Sequence, residues 1–325
     1  MERLKTTFAG LDLKNPFIVS SSSLTANAEN NFQFERAGAA AIVLKSLFEE
    51  QIMWQSAHMM SESYGEGSDY LQGYVRSHYL DEYTRLLRNS KKLCSIPIIA
   101  SINCYTDSEW EEYAHILELA GADAIELNLM AIQTNADSPY GEFEKHHVEI
   151  VKHVRAKVNI PIIVKLGNNI TNPVRLIAQL HTGGANAVVL FNRFYHTDID
   201  IDKLTYTSGP VLSHSSELSN ALRWIAIASG RVSRIDYAAS GGVTSGRDIV
   251  KCILSGASAV EVCSVLFEQG NKAIMPMLIE VRNWMIEHGY ESIGQFKGML
   301  SARDLHSVNA FERTQFLKFF GEKKE

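Results

Sequence analysis

The sequence predicts an α/β chain folded as a single TIM (β/α)8 barrel, and three observations carry that reading. Eight short apolar runs rich in β-branched residues recur along the 325 residues. Amphipathic stretches separate them, and a junction of helix, Gly-Ala and strand repeats at Gly38, Gly121, Gly184 and Gly256. No segment rich in Pro, Gly or Ser divides the series, so one domain over 1–325 is expected.

The strand runs are 17–20, 41–45, 97–101, 124–128, 161–166, 187–192, 236–240 and 259–263. They are almost continuously apolar, as parallel strands covered by helices must be. The connecting helices are punctuated. Asp107 or Ser108 is placed to cap a helix running to Leu119, with Gly121 as its stop. Asn172-Pro173 opens another that ends at Gly183-Gly184, and Ser245 opens one that stops at Gly256. Two intervals exceed the length of a helix: an insertion over about 48–92 and the stretch between Asn192 and Asp236. Loops that follow barrel strands sit over the active face, so both are candidate lids. A helical tail is expected over 271–325, with a strong helix to His288 and shorter ones near 293–300 and 310–320.

Bulk composition removes several classes. Hydrophobic residues make up 46%, enough for a large core, and the net charge is −6. Nucleic-acid binding needs clustered Lys and Arg, which this chain lacks. The longest apolar runs fall far short of the ~20 residues that span a bilayer. No signal-peptide pattern opens the chain, so a cytoplasmic enzyme with no membrane partner is expected. Cys94, Cys104, Cys252 and Cys263 form no metal or iron–sulfur spacing. Cys94 and Cys252 read as small buried residues, and Cys104 is an outside candidate for a reactive thiol.

Barrel chemistry sits at the carboxyl ends of strands. There the sequence places Lys45, Asn103, Asn128, Lys165 and Asn192. A lysine inside an apolar strand is costly unless its ammonium finds an acceptor, so two such lysines with three amides imply a polar, anionic ligand. The run Ser240-Gly241-Gly242-Val243 after the seventh strand and Cys263-Ser264 after the eighth imply a phosphate, because glycine lets it approach backbone N–H groups at a helix start.

These segments together resemble the dihydroorotate dehydrogenase family of flavin barrels, over most of the chain from Leu13 to Gly270. The matching stretches are Leu13-Lys14-Asn15-Pro16-Phe17 with the serines from Ser20, Val43-Leu44-Lys45-Ser46, Glu126-Leu127-Asn128, Val164-Lys165-Leu166, Leu212-Ser213, the run from Ser240 to Ile249 and that from Leu254 to Val262. The resemblance implies FMN as cofactor and an oxidoreductase acting on a CH–CH bond, dihydroorotate to orotate in pyrimidine biosynthesis or a related small anionic substrate. It implies that Ser20, Ser21 and Ser22 line the flavin and that Lys45 meets flavin and substrate. Lys165 would lie by the N1–O2 edge and favour negative charge on the reduced ring. Asn103 and Asn128 would sit beside ring or substrate, Asn192 would hydrogen-bond substrate, and Gly241, Gly242, Cys263 and Ser264, with Ser213, would hold the phosphate. The short N-terminus resembles the soluble branch, and a homodimer is implied by the family.

One motif departs. The family's proton-abstracting Cys or Ser falls on Ala131, and Gln133 stands where an orotate-binding asparagine is expected. A positioned base contributes a factor of about 10²–10⁴; Thr134, Asp137 and Ser138 are the nearest replacements in sequence. Two other functions fit the same residues: a flavin-binding barrel with a regulatory role, and a flavin-free phosphate-binding lyase or isomerase using Lys165. The electron acceptor is not readable, and electrons must leave to a small acceptor or a separate partner.

Overall fold

The computed structural model describes residues 2–48, 68–103 and 110–303. Eight parallel strands close into a barrel: β1 Phe17–Val19, β2 Ala41–Val43, β3 Ile98–Asn103, β4 Ala124–Leu129, β5 Ile162–Leu166, β6 Ala187–Leu190, β7 Asp236–Ser240 and β8 Ala259–Val262. Each pairs with the next, and β8 closes on β1 with Val260 opposite Phe17. The short strand Leu47–Phe48 adds to the end of β3. Ser20, Lys45, Asn192 and Cys263, read as strand ends, lie one or two residues past the paired segments. Ladder bonds end there because the chain turns over the mouth.

The helix signals have visible causes. Asn172 accepts from the Arg175 N–H at 3.0 Å with Pro173 opening the helix Pro173–Thr182. Ser245 caps Gly246–Ser255 with Asp248 returning the bond, and Gly256 ends it at φ +123°. A Cβ at Gly256 would run into the Ser229 side chain, so that turn needs glycine twice over.

One expectation needs correction, and the two long intervals take definite form. Of the insertion over 48–92, residues 68–92 belong to the helix Ser68–Leu93, the ordinary return from β2 to β3; residues 49–67, where the rest of the candidate lid falls, lie outside the described residues. The interval after β6 holds an antiparallel hairpin, Thr197–Asp200 with Thr205–Ser208, then the helix Leu218–Arg231. In the tail, Ile274–Glu287 is helical, but near 293–300 only the 3-10 turn Ile293–Gln295 forms, with Gly298 at φ +71° beyond it. The stretch 310–320 and the caps Asp107 and Ser108 lie outside the described residues.

Two cores result. The larger fills the space between strands and helices and includes Cys94 and Cys252. The smaller is the barrel interior: Ile18, Ala41, Val43, Ile99, Ala124, Ile163, Ala187, Val189, Ala238 and Ala259. Phe8 and Ala9, at the tip of the hairpin Thr6–Phe8 with Leu11–Leu13, close it from below.

Candidate active site

Side chains two apart on a strand share a face. One pleat above the apolar floor therefore come Ser20, Ser101, Glu126, Lys165 and Glu261, all buried. Lys165 Nζ donates to Glu261 Oε2 at 2.7 Å and to Ser20 Oγ at 2.8 Å, and Ser20 Oγ donates to the same Oε2 at 3.0 Å. Burial works against the Lys165 charge, but Glu261 and Glu126 hold its pKa above the ordinary lysine range. Burial, then the neighbouring Glu261, pushes the Glu126 carboxyl well up. Burial also acts upward on Glu261, yet Lys165 and bonds from Glu126 and Ser20 hold it below the usual carboxylate range. The lysine and Glu261 are thus the ion pair, with Glu126 held toward its neutral form.

A hydroxyl chain joins this layer to the mouth. Ser21 Oγ lies 3.0 Å from Ser46 Oγ, Ser46 Oγ 2.8 Å from Ser101 Oγ, and Ser101 Oγ 3.5 Å from Glu126 Oε1. Tyr83, from the helix Ser68–Leu93, braces Ser101 by accepting from its N–H at 2.7 Å.

Above the polar layer opens a cavity of about 700 Å³, a size that suits a cofactor with substrate. Lys45 and Lys165 both line it, as do Ser20, Ser21, Ser22, Asn128, Asn192, Ser213, Gly241, Gly242, Cys263 and Ser264. Asn192 Nδ2 donates to Asn128 Oδ1, so the two amides act as a unit. At the far corner Ser213 lies 2.9 Å from Ser264 Oγ and accepts from the Gly242 N–H at 3.1 Å, binding together the loops after β6, β7 and β8. At Gly241, φ +88°, nothing lies within 4 Å of where a Cβ would be, so its backbone is open to a ligand. The lining also has an apolar and aromatic part that includes Phe48, Met130, Phe191, Phe194 and Tyr195.

Several expected residues lie apart from this group. Asn103 is buried at the end of β3 and is not among the cavity's described lining. Gln133, Thr134 and Asp137 are exposed on the stretch after β4, and Gln133 Oε1 accepts from the Asn135 N–H within that loop. Neither they nor Ser138 and Ala131 line the cavity. Cys104 lies outside the described residues. Sequence reading missed Glu126 and Glu261, although each is a charge in an apolar strand, the same signal that marked Lys165. It also missed Arg193, which lines the mouth and donates to Glu217 at 2.7 Å.

The sequence model of the dihydroorotate dehydrogenase family matches residues 3–285. The chain belongs to the dihydroorotate dehydrogenase family. It is similar to a protein of Thermoplasma volcanium named dihydroorotate dehydrogenase B (NAD(+)), catalytic subunit, at 26% identity over 93% of this chain and 100% of the relative. A protein of the same name from Pyrococcus horikoshii is 25% identical over 91% of this chain and 97% of the relative. The NAD-dependent dihydropyrimidine dehydrogenase subunit PreA of Escherichia coli is 24% identical over 91% of this chain and 76% of its own length. Enzymes of the dihydroorotate dehydrogenase family are flavoproteins, and the chain is an oxidoreductase of the kind that acts on a CH–CH bond. The lyase alternative needs a neutral lysine as nucleophile, whereas Lys165 is locked in an ion pair. No helix among the described residues is long and apolar enough to cross a membrane.

Proposed function

We propose that the protein binds FMN and oxidises or reduces a CH–CH bond in a small anionic ring compound, with dihydroorotate the first substrate to test. The observation that carries this is that Lys45, Lys165 and the open Gly241 backbone line one cavity. The donor set fits a phosphorylated ring at both ends. The Gly241 N–H, Gly242, Ser213, Cys263 and Ser264 would hold the phosphate, where a glycine without crowding lets the group reach backbone donors. Ser20, Ser21 and Ser22 would line the ring, with Lys45, Asn128, Lys165 and Asn192 about its reactive edge and Asn103 behind it.

When bound, the flavin supplies a hydride acceptor and donor. Lys45 presents an ammonium to the anionic group of the substrate, and the linked Asn128 and Asn192 orient it by hydrogen bonds. Phe48, Met130 and Phe194 give the lining apolar surface that would limit water around the substrate. The relatives' names, a catalytic subunit and a dehydrogenase subunit, support an electron route through a separate partner. A cytoplasmic homodimer, with the whole chain as one domain, belongs to the same reading.

The test is anaerobic mixing of the purified yellow protein with dihydroorotate. Bleaching of the flavin band is the expected result. A protein purified without flavin overturns the reading, and a yellow protein that does not bleach removes dihydroorotate while keeping the cofactor.

A further inference from the structure

The buried layer beneath the cavity contains more acid than the family reading uses. Glu261 lines the cavity beside Lys165, and Glu126 lies behind it, both nearly or fully inaccessible. Glu261 Oε2 takes both nearby donors, the Lys165 ammonium and the Ser20 hydroxyl. That leaves Glu261 Oε1 and Glu126 Oε2 buried without a partner as long as both carboxyls are ionised. The two carboxyls interact side chain to side chain, so one proton held between them would give the orphaned oxygens a partner. Two ionised carboxylates and one ammonium would also leave an uncompensated charge in a dry interior, which is strongly disfavoured.

We propose that Glu261 is a positioning residue that fixes Lys165 against Ser20 and cancels its charge, while protonated Glu126 caps Glu261, so the cavity floor is electrically neutral. This rests on the reading that a flavin lies above Lys165. A lone ammonium there would stabilise negative charge on the reduced ring; a neutral pair stabilises it far less. The groups facing the triad are Ser20 on the loop after β1, Tyr83 from the return helix, Ser101 on β3 and Cys263 after β8. The Tyr83 hydroxyl is pushed up by burial, and burial pushes the Cys263 thiol up. Neither supplies a second cation to the floor, so Glu261 and Glu126 set the balance against Lys165 there, while Lys45 on the cavity lining is the same in every variant.

The test uses the flavin-loaded protein and inorganic sulfite, an anion whose addition bleaches the oxidised ring and deposits negative charge on it. Glu261→Gln keeps the size and a hydrogen-bonding oxygen but releases the lysine charge. It should tighten sulfite binding by about tenfold or more, and raise the two-electron flavin potential by the equivalent ~30 mV or more. Glu126→Gln should leave both close to wild type. Adding Lys165→Met should abolish the gain from Glu261→Gln, because the carboxylate acts through the lysine. A yellow Glu261→Gln protein with wild-type sulfite affinity and potential overturns the proposal. If Glu261→Gln does not fold, infrared spectroscopy of the wild type decides. A buried protonated carboxyl band must be present and must vanish in Glu126→Gln; a missing band, or one that survives that change, overturns it. A protein without flavin sinks the cofactor reading instead, and the infrared result still decides the triad.

Discussion

The lower and upper halves of the barrel interior are built on the same strands by the same pleat, yet they solve opposite problems. Below, Ile18, Ile99, Ile163 and Val189 share one apolar cluster with Phe8, with no side-chain polar atom to satisfy. Above, two residues along each strand, Ser20, Ser101, Lys165, Glu126 and Glu261 are equally buried and are held by polar contacts with one another and with Ser46. The lower layer gains stability by burying apolar surface, whereas the upper one, part of which lines the cavity, fixes charge at the cavity floor.

That division is open to attack. Phe8→Ala should cost about 3–5 kcal/mol, the usual range for emptying a buried aromatic site, while flavin content of the folded fraction stays constant. Urea unfolding followed by absorbance reads both, and a loss of flavin at unchanged stability breaks the separation of the halves. Gly242→Ala reverses the pattern. Its Cβ would meet the Leu218 backbone N at 2.6 Å and the His214 O at 2.8 Å, at a φ of +72°. Strain of about 1–3 kcal/mol is expected, with flavin release measured by ultrafiltration as the larger visible effect.

The smallest effect sharpens the upper layer by pH. Glu126 is held above its ordinary range by burial and Glu261, so its proton is kept in the folded state and lost in the unfolded one. Stability from this group is complete below the unfolded carboxyl pKa and declines as pH rises toward the folded value. The slope is at most about 1.4 kcal/mol per pH unit. Glu126→Gln removes the decline, so its melting temperature should gain on wild type as pH increases from the acid range. A Glu126→Gln melting temperature that falls further behind wild type as pH rises contradicts a protonated Glu126.

Legibility in the sequence followed the same physical line. All eight strands were visible because parallel strands under helices are apolar on both faces, and caps such as Asn172 and Ser245 declare helix starts locally. Lys165 stood out as a charge in an apolar run. Its partner Glu261 lies 96 residues away and its role depends on β5 and β8 facing each other across the barrel, which no local pattern encodes. The Gly241-Gly242 corner could be read locally, but its bracing by Ser213 and Ser264 could not, because it joins three separate loops. The helix Ser68–Leu93 within the insertion over 48–92 went unread for a different reason: the Met, Ser, Gly and Tyr that precede it carry no helical pattern.

The hairpin that seals the barrel from below has a consequence for biosynthesis. Thr6 Oγ1 donates to the Ser258 carbonyl, 252 residues away, and the Ala9 N–H to Asp236, 227 residues away. On the ribosome this segment emerges long before either acceptor exists, and Phe8 has no interior to enter until the last two strands are made. Bringing such distant partners together is slow. Throughout that delay the nascent chain displays an apolar tip suited to capture by a chaperone or to self-association.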